Sequence, residues 1–310
     1  MSLRTVVNAW NRFFFEPQSP TPVALYRILY GLLTIANLLY LFPDWLEWYG
    51  PHAWLSLATM HQLEPGIRLN LFTVIPQSNA SVLAVFWIYL LFAITLTAGF
   101  FTRFSTIVVF LCATSIQQRD LYILHAGDTL MRVTALFLIF APAGAALSVD
   151  RLIRIWCGKE GPEVPLKSPW AQRMIQFEVA IVYLTGFWWK SMGADWVNGN
   201  ALYYVLHVAQ MKRFPLPAFI YAPVLLKIGT WFTLAFEFSF GILVWFRETR
   251  YAVLLIGVLF HLSIEYTLNI QLFEWMMLAS YVVFLYPDDL NRAGRWIAQR
   301  LEWRAVRGPA

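Results

Sequence analysis

Charged residues are scarce in this sequence. Asp, Glu, Lys and Arg make up 13% of its 310 residues, against roughly 25% in ordinary soluble domains. The two cysteines, Cys112 in an apolar run and Cys157 in a basic segment, cannot form a disulfide framework, and no spacing typical of a metal site is present. Polar low-complexity stretches are also missing, which argues against a disordered chain. Together these absences exclude an ordinary cytosolic enzyme.

Apolar residues dominate instead. Hydrophobic residues make up 59% of the chain and aromatic residues 17%, and the mean hydropathy is +0.56. The net charge of +5 comes from Lys and Arg residues in short loops, not from basic patches interleaved with aromatics. We therefore expect the lipid bilayer, and not a nucleic acid, as the surrounding partner.

Long apolar runs predict an all-α, polytopic membrane bundle, because a spanning helix needs roughly 20 mostly apolar residues. No segment alternates with the period of two that a barrel strand requires. The sequence predicts about eight spans, at 23–42, 81–101, 104–116, 128–147, 170–189, 221–246, 251–268 and 272–286.

Both ends of the chain have the pattern of amphipathic helices in the membrane surface. In the first segment, 1–20, apolar residues such as Leu3 and Trp10 recur at helical spacing around Arg4 and Arg12. The tail, 288–310, has Trp296, Ile297, Leu301 and Trp303 among five arginines, Arg292, Arg295, Arg300, Arg304 and Arg307. The predicted organisation is thus a membrane bundle at 21–287 between an interfacial helix and a basic cytoplasmic tail.

The distribution of Lys and Arg predicts the orientation, because positively charged short loops stay in the cytoplasm. Fourteen Lys and Arg residues fall on the side that holds the two termini, and four fall on the opposite side. We expect cytoplasmic termini, a bacterial inner membrane, and long external loops at 43–80 and 191–220. No cleavable signal peptide is visible, so the first span is expected to direct insertion.

Ionisable residues at membrane depth are costly and usually have a partner or a function. Asp128 and Arg132 are four residues apart, which favours a structural ion pair. His261 and Glu265 share that spacing, so the carboxylate can fix the imidazole tautomer, although a simple packing role for the histidine stays open.

Two further carboxylates, Glu178 and Glu237, have no cation nearby in sequence. Each requires Arg27, Lys227 or another donor across the bundle, or stays protonated. In either case we expect both to face the bundle interior and not lipid.

The segment 182–204 reads VYLTGFWWKSMGADWVNGNALYY and places Lys190 after two tryptophans at the external end of a span. One interpretation is an aromatic belt in which Lys190 extends towards water. The other is that aromatic walls desolvate the amine, so that it accepts a proton from a bound substrate. The residues alone leave both open.

Four segments carry a resemblance to a known family. They are ALYRILYGLL with WYGPHAWLS, AGDTLMR with FAPAGAALSVD, the stretch 186–196, and FHLSIEYTLNIQLFEWMML. In their order and spacing they resemble the horizontally transferred transmembrane (HTTM) domain family, which includes the vitamin K-dependent gamma-carboxylase. In that enzyme a lysine in the stretch matching 186–196 is the base that deprotonates reduced vitamin K.

The resemblance implies Lys190 as the catalytic residue and vitamin K or a menaquinol-like quinone as a cofactor. The carboxylase continues into a large lumenal portion that recognises its protein substrate, and this chain ends soon after its last predicted span. We therefore expect at most the quinone-facing part of that chemistry and doubt peptide-glutamate carboxylation.

The leading hypothesis is a lipophilic, quinone-like ligand in an intramembrane pocket that opens to the external side. The expected lining residues are Glu178, Trp189, Trp196, Glu237, His261 and Glu265. The alternative is a non-catalytic scaffold or assembly factor that docks a membrane or periplasmic protein through its amphipathic ends. Transport is disfavoured because no inverted repeat is apparent.

Overall fold

The computed structural model describes residues 2–66 and 68–307, and within these ranges the chain is helical without a strand. Two isolated backbone bridges, Gln18 with Lys167 and Lys212 with Leu268, are the nearest approach to sheet pairing. The helices are α1 (Leu3–Phe15), α2 (Thr21–Leu41), α3 (Trp45–Tyr49), α4 (Leu57–Leu63), α5 (Asn79–Ala98), α6 (Thr102–Arg119), α7 (Ala126–Phe140), α8 (Val149–Trp156), α9 (Trp170–Ser191), α10 (Ala194–Val197), α11 (Ala201–His207), α12 (Pro223–Leu243), α13 (Arg250–Thr267), α14 (Phe273–Ser280) and α15 (Pro287–Arg307).

Among the described residues, three stretches are long and apolar enough to cross a membrane, namely Thr21–Tyr49, Asn79–Ala98 and Pro223–Leu243. Each of the eight predicted runs overlaps a helix, and the count of eight spans stays a prediction. The run 104–116 belongs to the longer helix α6. In the predicted run 128–147, the helix ends early, at Phe140. The reason is that Pro142 supplies no amide hydrogen and disfavours helical geometry at the residue before it.

The last predicted run, 272–286, is broken. Helix α14 ends at Ser280, and a 3₁₀ turn, Tyr281–Phe284, completes the segment. This change of helix type leaves the Val283 carbonyl free to accept hydrogen bonds from the side-chain amides of Gln172, at 2.8 Å, and Gln176, at 2.6 Å. Two glutamines of α9 thereby satisfy a carbonyl that lipid could not.

The helices form one connected bundle. Helix α2 packs against α5, α6 lies against both α5 and α7, and α9 joins α7 to α12. Helix α14 closes the bundle because it contacts α2, α7, α9 and α13. One extended apolar core runs through these contacts.

The buried side chain of Arg27 holds the loop between α7 and α8 in place. The Arg27 guanidinium is fully buried and donates to the carbonyls of Ala143, at 2.7 Å, and Leu147, at 2.6 Å. Beside it, the Asp150 carboxylate accepts from the backbone amides of Phe101 and Thr102, both at 2.8 Å, at the start of α6. Arg27, Ala143, Leu147 and Asp150 belong to the segments that carry the family resemblance. In this structure their contacts hold the fold together.

Both ends of the chain are helical. Helix α1 exposes Leu3 and Trp10, whereas Phe14 is buried and lies near Phe177 of α9. At the other end, α15 continues to Arg307. The side chains of Ile297, Arg300, Leu301, Trp303, Arg304 and Arg307 lie outside the described residues. A position in the membrane surface stays a prediction for both helices.

Replacing Arg27 with methionine is expected to destabilise the protein by roughly 2 to 4 kcal/mol, because buried carbonyls would lose a charged donor. Thermal unfolding of the purified protein in detergent measures this change. Arg103→Gln is the matched control, since Arg103 is exposed at the start of α6. Equal unfolding temperatures for the two variants would contradict the structural role of Arg27.

Candidate functional site

A large cavity lies among α7, α9, α12, α13 and α14 and the segment 202–220. Its volume is about 1660 Å³, above the roughly 300 to 1,000 Å³ of most small-molecule pockets. Apolar and aromatic side chains form most of its wall. The ionisable and tryptophan side chains in that wall are Glu178, Trp189, Lys190, Trp196, Glu237, His261 and Glu274.

Lys190 turns into this cavity. Its ammonium group contacts the Glu237 carboxylate of α12 through Oε1 and lies 5.2 Å from the centre of the Trp196 ring. The preceding tryptophan, Trp189, is 72% exposed although part of it lines the cavity. Both interpretations of this segment, the aromatic belt and the desolvated base, stay predictions.

A glycine allows this contact between α9 and α12. Gly186 lies one turn before Lys190, and a Cβ at this position would be 3.3 Å from Oε2 of Glu237. That spacing is tight enough for a larger residue to displace the carboxylate. The small residue therefore lets the ion pair form between closely packed helices.

Two carboxylate oxygens in the cavity wall have no hydrogen-bond partner among the described residues. These atoms are Oε1 of Glu178 and Oε2 of Glu237, and both are buried. The other oxygen of Glu178 accepts from the Thr134 hydroxyl at 3.1 Å. Of the expected donors, Arg27 binds backbone carbonyls and Lys227 is exposed on α12.

A chain of four buried polar side chains reaches the cavity, and three of them, Tyr183, His261 and Glu274, line its wall. The Tyr183 hydroxyl contacts both Nε2 of His261 and the Tyr281 hydroxyl, and Nδ1 of His261 contacts the Glu274 carboxylate. All four residues are at most 5% exposed. The carboxylate favours the imidazole tautomer with its proton on Nδ1, so that Nε2 accepts from the Tyr183 hydroxyl.

The structure corrects the expected pairing of His261 with Glu265. The partner of His261 is Glu274, whereas Glu265 contacts Arg213 and accepts from Nε1 of Trp275 at 2.9 Å. Glu265 is absent from the cavity wall. The physical reason is that the segment before α12 returns to the end of α13, where the Arg213 amide donates to Thr267 at 3.2 Å.

The expected ion pair of Asp128 with Arg132 is also corrected. Asp128 accepts from the backbone amide of His125 at 3.1 Å, and its carboxylate lies 3.5 Å from Nε2 of the same histidine. Within the described chain, Arg132 forms no ion pair with it. Asp128 lies in the first turn of α7, where free amide groups attract a carboxylate more strongly than a cation one turn later.

Sequence reasoning did not single out Tyr183, Tyr281 or Glu274 as site residues. No local signal distinguishes Tyr183 among the 14 tyrosines of the chain. Glu274 is separated from His261 by the end of α13 and a loop, so no helical spacing connects them. Its charge in an apolar segment was the available clue.

A model of the HTTM domain matches residues 15–288. The chain belongs to the HTTM domain family. The HTTM match includes every residue that lines the large cavity. No solved structure matches this HTTM protein.

Replacing Glu274 with alanine is expected to move the His261 proton from Nδ1 to Nε2, because the acceptor at Nδ1 is removed. The ¹⁵N chemical shifts of the imidazole report this tautomer. Glu265→Ala is the matched variant and is expected to leave those shifts unchanged. If Glu265→Ala changed them instead, the assignment of Glu274 as the partner would be wrong.

Proposed function

We propose that this HTTM protein binds a lipophilic molecule with a hydroxyl-bearing head group, such as a hydroquinone, in the large cavity. The proposal is carried by two carboxylate oxygens that have no hydrogen-bond partner among the described residues. They belong to Glu178 and Glu237 and lie in an otherwise mostly apolar wall. Buried acceptors without a donor are unfavourable, so a ligand that supplies hydroxyl groups would satisfy them.

The size and composition of the cavity support a ligand with a long apolar part. A volume of about 1660 Å³ exceeds the space that a head group alone fills. Apolar residues of α12 and α13, including Phe232 and Leu259, line it. The remainder of the cavity therefore suits an alkyl or isoprenoid chain.

Lys190 and Glu237 would handle the proton. Because their charged groups are in contact, a proton can pass from Nζ of Lys190 to Oε1 of Glu237 and leave both groups neutral. The neutral amine can then accept a proton from a ligand hydroxyl, as a general base does. A hydroquinone would give up one hydroxyl proton in this step and stay bound as its monoanion, with no change in oxidation state.

Three residues of the cavity wall, Glu178, Glu237 and Lys190, would bind the head group of such a ligand. Glu178 and Glu237 offer acceptors, and Lys190 balances the negative charge that forms when a hydroxyl loses its proton. The centre of the Trp196 ring lies 5.2 Å from the ammonium group, within range of a cation–π interaction. The resemblance to the gamma-carboxylase gives Lys190 the same role.

The test is titration of the purified protein in nanodiscs with vitamin K hydroquinone under anaerobic conditions, followed by tryptophan fluorescence. Lys190→Met and Glu237→Gln are each expected to weaken binding about tenfold, the effect of one lost charge-assisted hydrogen bond. Lys227→Met is the matched control, since Lys227 is exposed on α12. Its affinity is expected to stay within about twofold of the unmodified protein, as for surface changes away from a site.

Unchanged affinity in Lys190→Met would remove Lys190 from the site. In that case deletion of residues 289–310 distinguishes the alternative of a scaffold or assembly factor. Loss of cellular function on that deletion, with function retained in Lys190→Met, would favour docking of a membrane or periplasmic protein over ligand chemistry.

We also propose eight spans in a bacterial inner membrane with both termini in the cytoplasm. In a Cys157→Ser background, a membrane-impermeant maleimide is expected to label Asp195→Cys in intact cells. Glu163→Cys is expected to react only after the cells are opened, because its loop carries the excess of positive charge. Both positions are exposed. Labelling of Glu163→Cys in intact cells would contradict this orientation.

A further inference from the structure

A second cavity lies on the opposite face of α7 from the large one. Its volume is about 300 Å³. Asp128 and Met131 of α7 line this smaller cavity, whereas Thr129 and Leu130 line the larger one. The remaining wall comes from α2, α3, α5 and α6 and the segments that precede α7 and α14. The two cavities are therefore separate sites.

The smaller cavity is lined by polar side chains that are almost completely buried. Tyr49 and Tyr89 are each 3% exposed. Gln117 is 5% exposed, and its Oε1 is buried without a hydrogen-bond partner among the described residues. Its amide nitrogen already donates to the Asp128 carbonyl at 2.7 Å. The free Oε1 is therefore available to a ligand that supplies a donor.

The charge of the wall is negative. Asp44 and Asp128 contribute carboxylates, and no Lys or Arg is among the lining residues, although His125 lies 3.5 Å from the Asp128 carboxylate and also lines the cavity. The Asp44 carboxylate forms no cap hydrogen bond at the start of α3. The nearby Arg119 donates to the carbonyl of Leu55 at 2.9 Å and does not line the cavity. A cation would therefore be attracted to this site.

Aromatic rings form much of the remaining wall. Tyr40, Trp48, Tyr49 and Tyr89 all line the cavity. Faces of aromatic rings attract ammonium groups, and desolvation strengthens that attraction. Carboxylates together with aromatic rings in a small cavity are the chemistry that recognises an alkylammonium group.

We propose that this cavity is a binding site for a small organic cation, a primary amine or a quaternary ammonium compound. The ammonium group lies against the aromatic rings and is balanced by Asp44 and Asp128. A hydroxyl or amine hydrogen of the same molecule is accepted by Oε1 of Gln117. This site is independent of the lipophilic ligand proposed for the large cavity.

The test uses choline as the probe and the full chain in nanodiscs of phosphatidylglycerol, a lipid without an ammonium group. Binding is measured by calorimetry at constant ionic strength. The neutral isostere 3,3-dimethylbutan-1-ol has the same shape and is expected to bind at least about tenfold more weakly, because it lacks the charge that the rings and carboxylates attract. Absence of choline binding, or equal affinity for the neutral compound, would overturn the proposal.

Two variants locate the site. Asp44→Asn is expected to weaken choline binding about tenfold without unfolding the protein, because Asp44 is exposed and caps no amide. Asp195→Asn is the matched control, since Asp195 is an exposed aspartate on α10 outside both cavities. An equal loss of affinity in Asp195→Asn would mean non-specific attraction and would overturn the assignment.

Discussion

The contact of Lys190 with Glu237 joins α9 to α12 and determines the character of the large cavity. An unpaired ammonium or carboxylate group has a high free energy away from water. Here each of the two groups offsets the charge of the other. The ion pair uses one carboxylate oxygen and leaves the second buried without a partner. A structural requirement of the bundle thus creates the acceptor on which the proposed ligand binding depends.

The same constraint explains features away from the cavity. Arg27 supplies donors to the carbonyls of Ala143 and Leu147, and two glutamines of α9 supply donors to Val283, where helical hydrogen bonding stops. In each place a side chain from a neighbouring helix satisfies backbone that lipid would leave unpaired. Breaks in the helices are therefore also points where helices are fastened together.

The two cavities use opposite chemistry on the two faces of α7. The larger one is mostly apolar and contains a cation beside carboxylates, whereas the smaller one has carboxylates and aromatic rings without Lys or Arg in its wall. Asp128 and Met131 on one face, and Thr129 and Leu130 on the other, follow directly from the helical period. A single helix thereby separates an amphipathic site from a cation-attracting one.

The sequence by itself determined the helical class and the positions of most helices, because apolar runs are local signals. It also marked Lys190, Glu178, Glu237 and His261 as candidate site residues, because ionisable residues are rare in apolar runs. It did not determine partners. His261 contacts Glu274 and not Glu265, and Asp128 binds His125 and not Arg132. Helical spacing shows which residues are able to meet on one helix. Only the tertiary structure decided which groups meet, through the packing of α13 against α14, the return of Arg213 to α13 and the capping of α7. The physical reason is that the partner of a charged group is the complementary group that the folded chain places beside it.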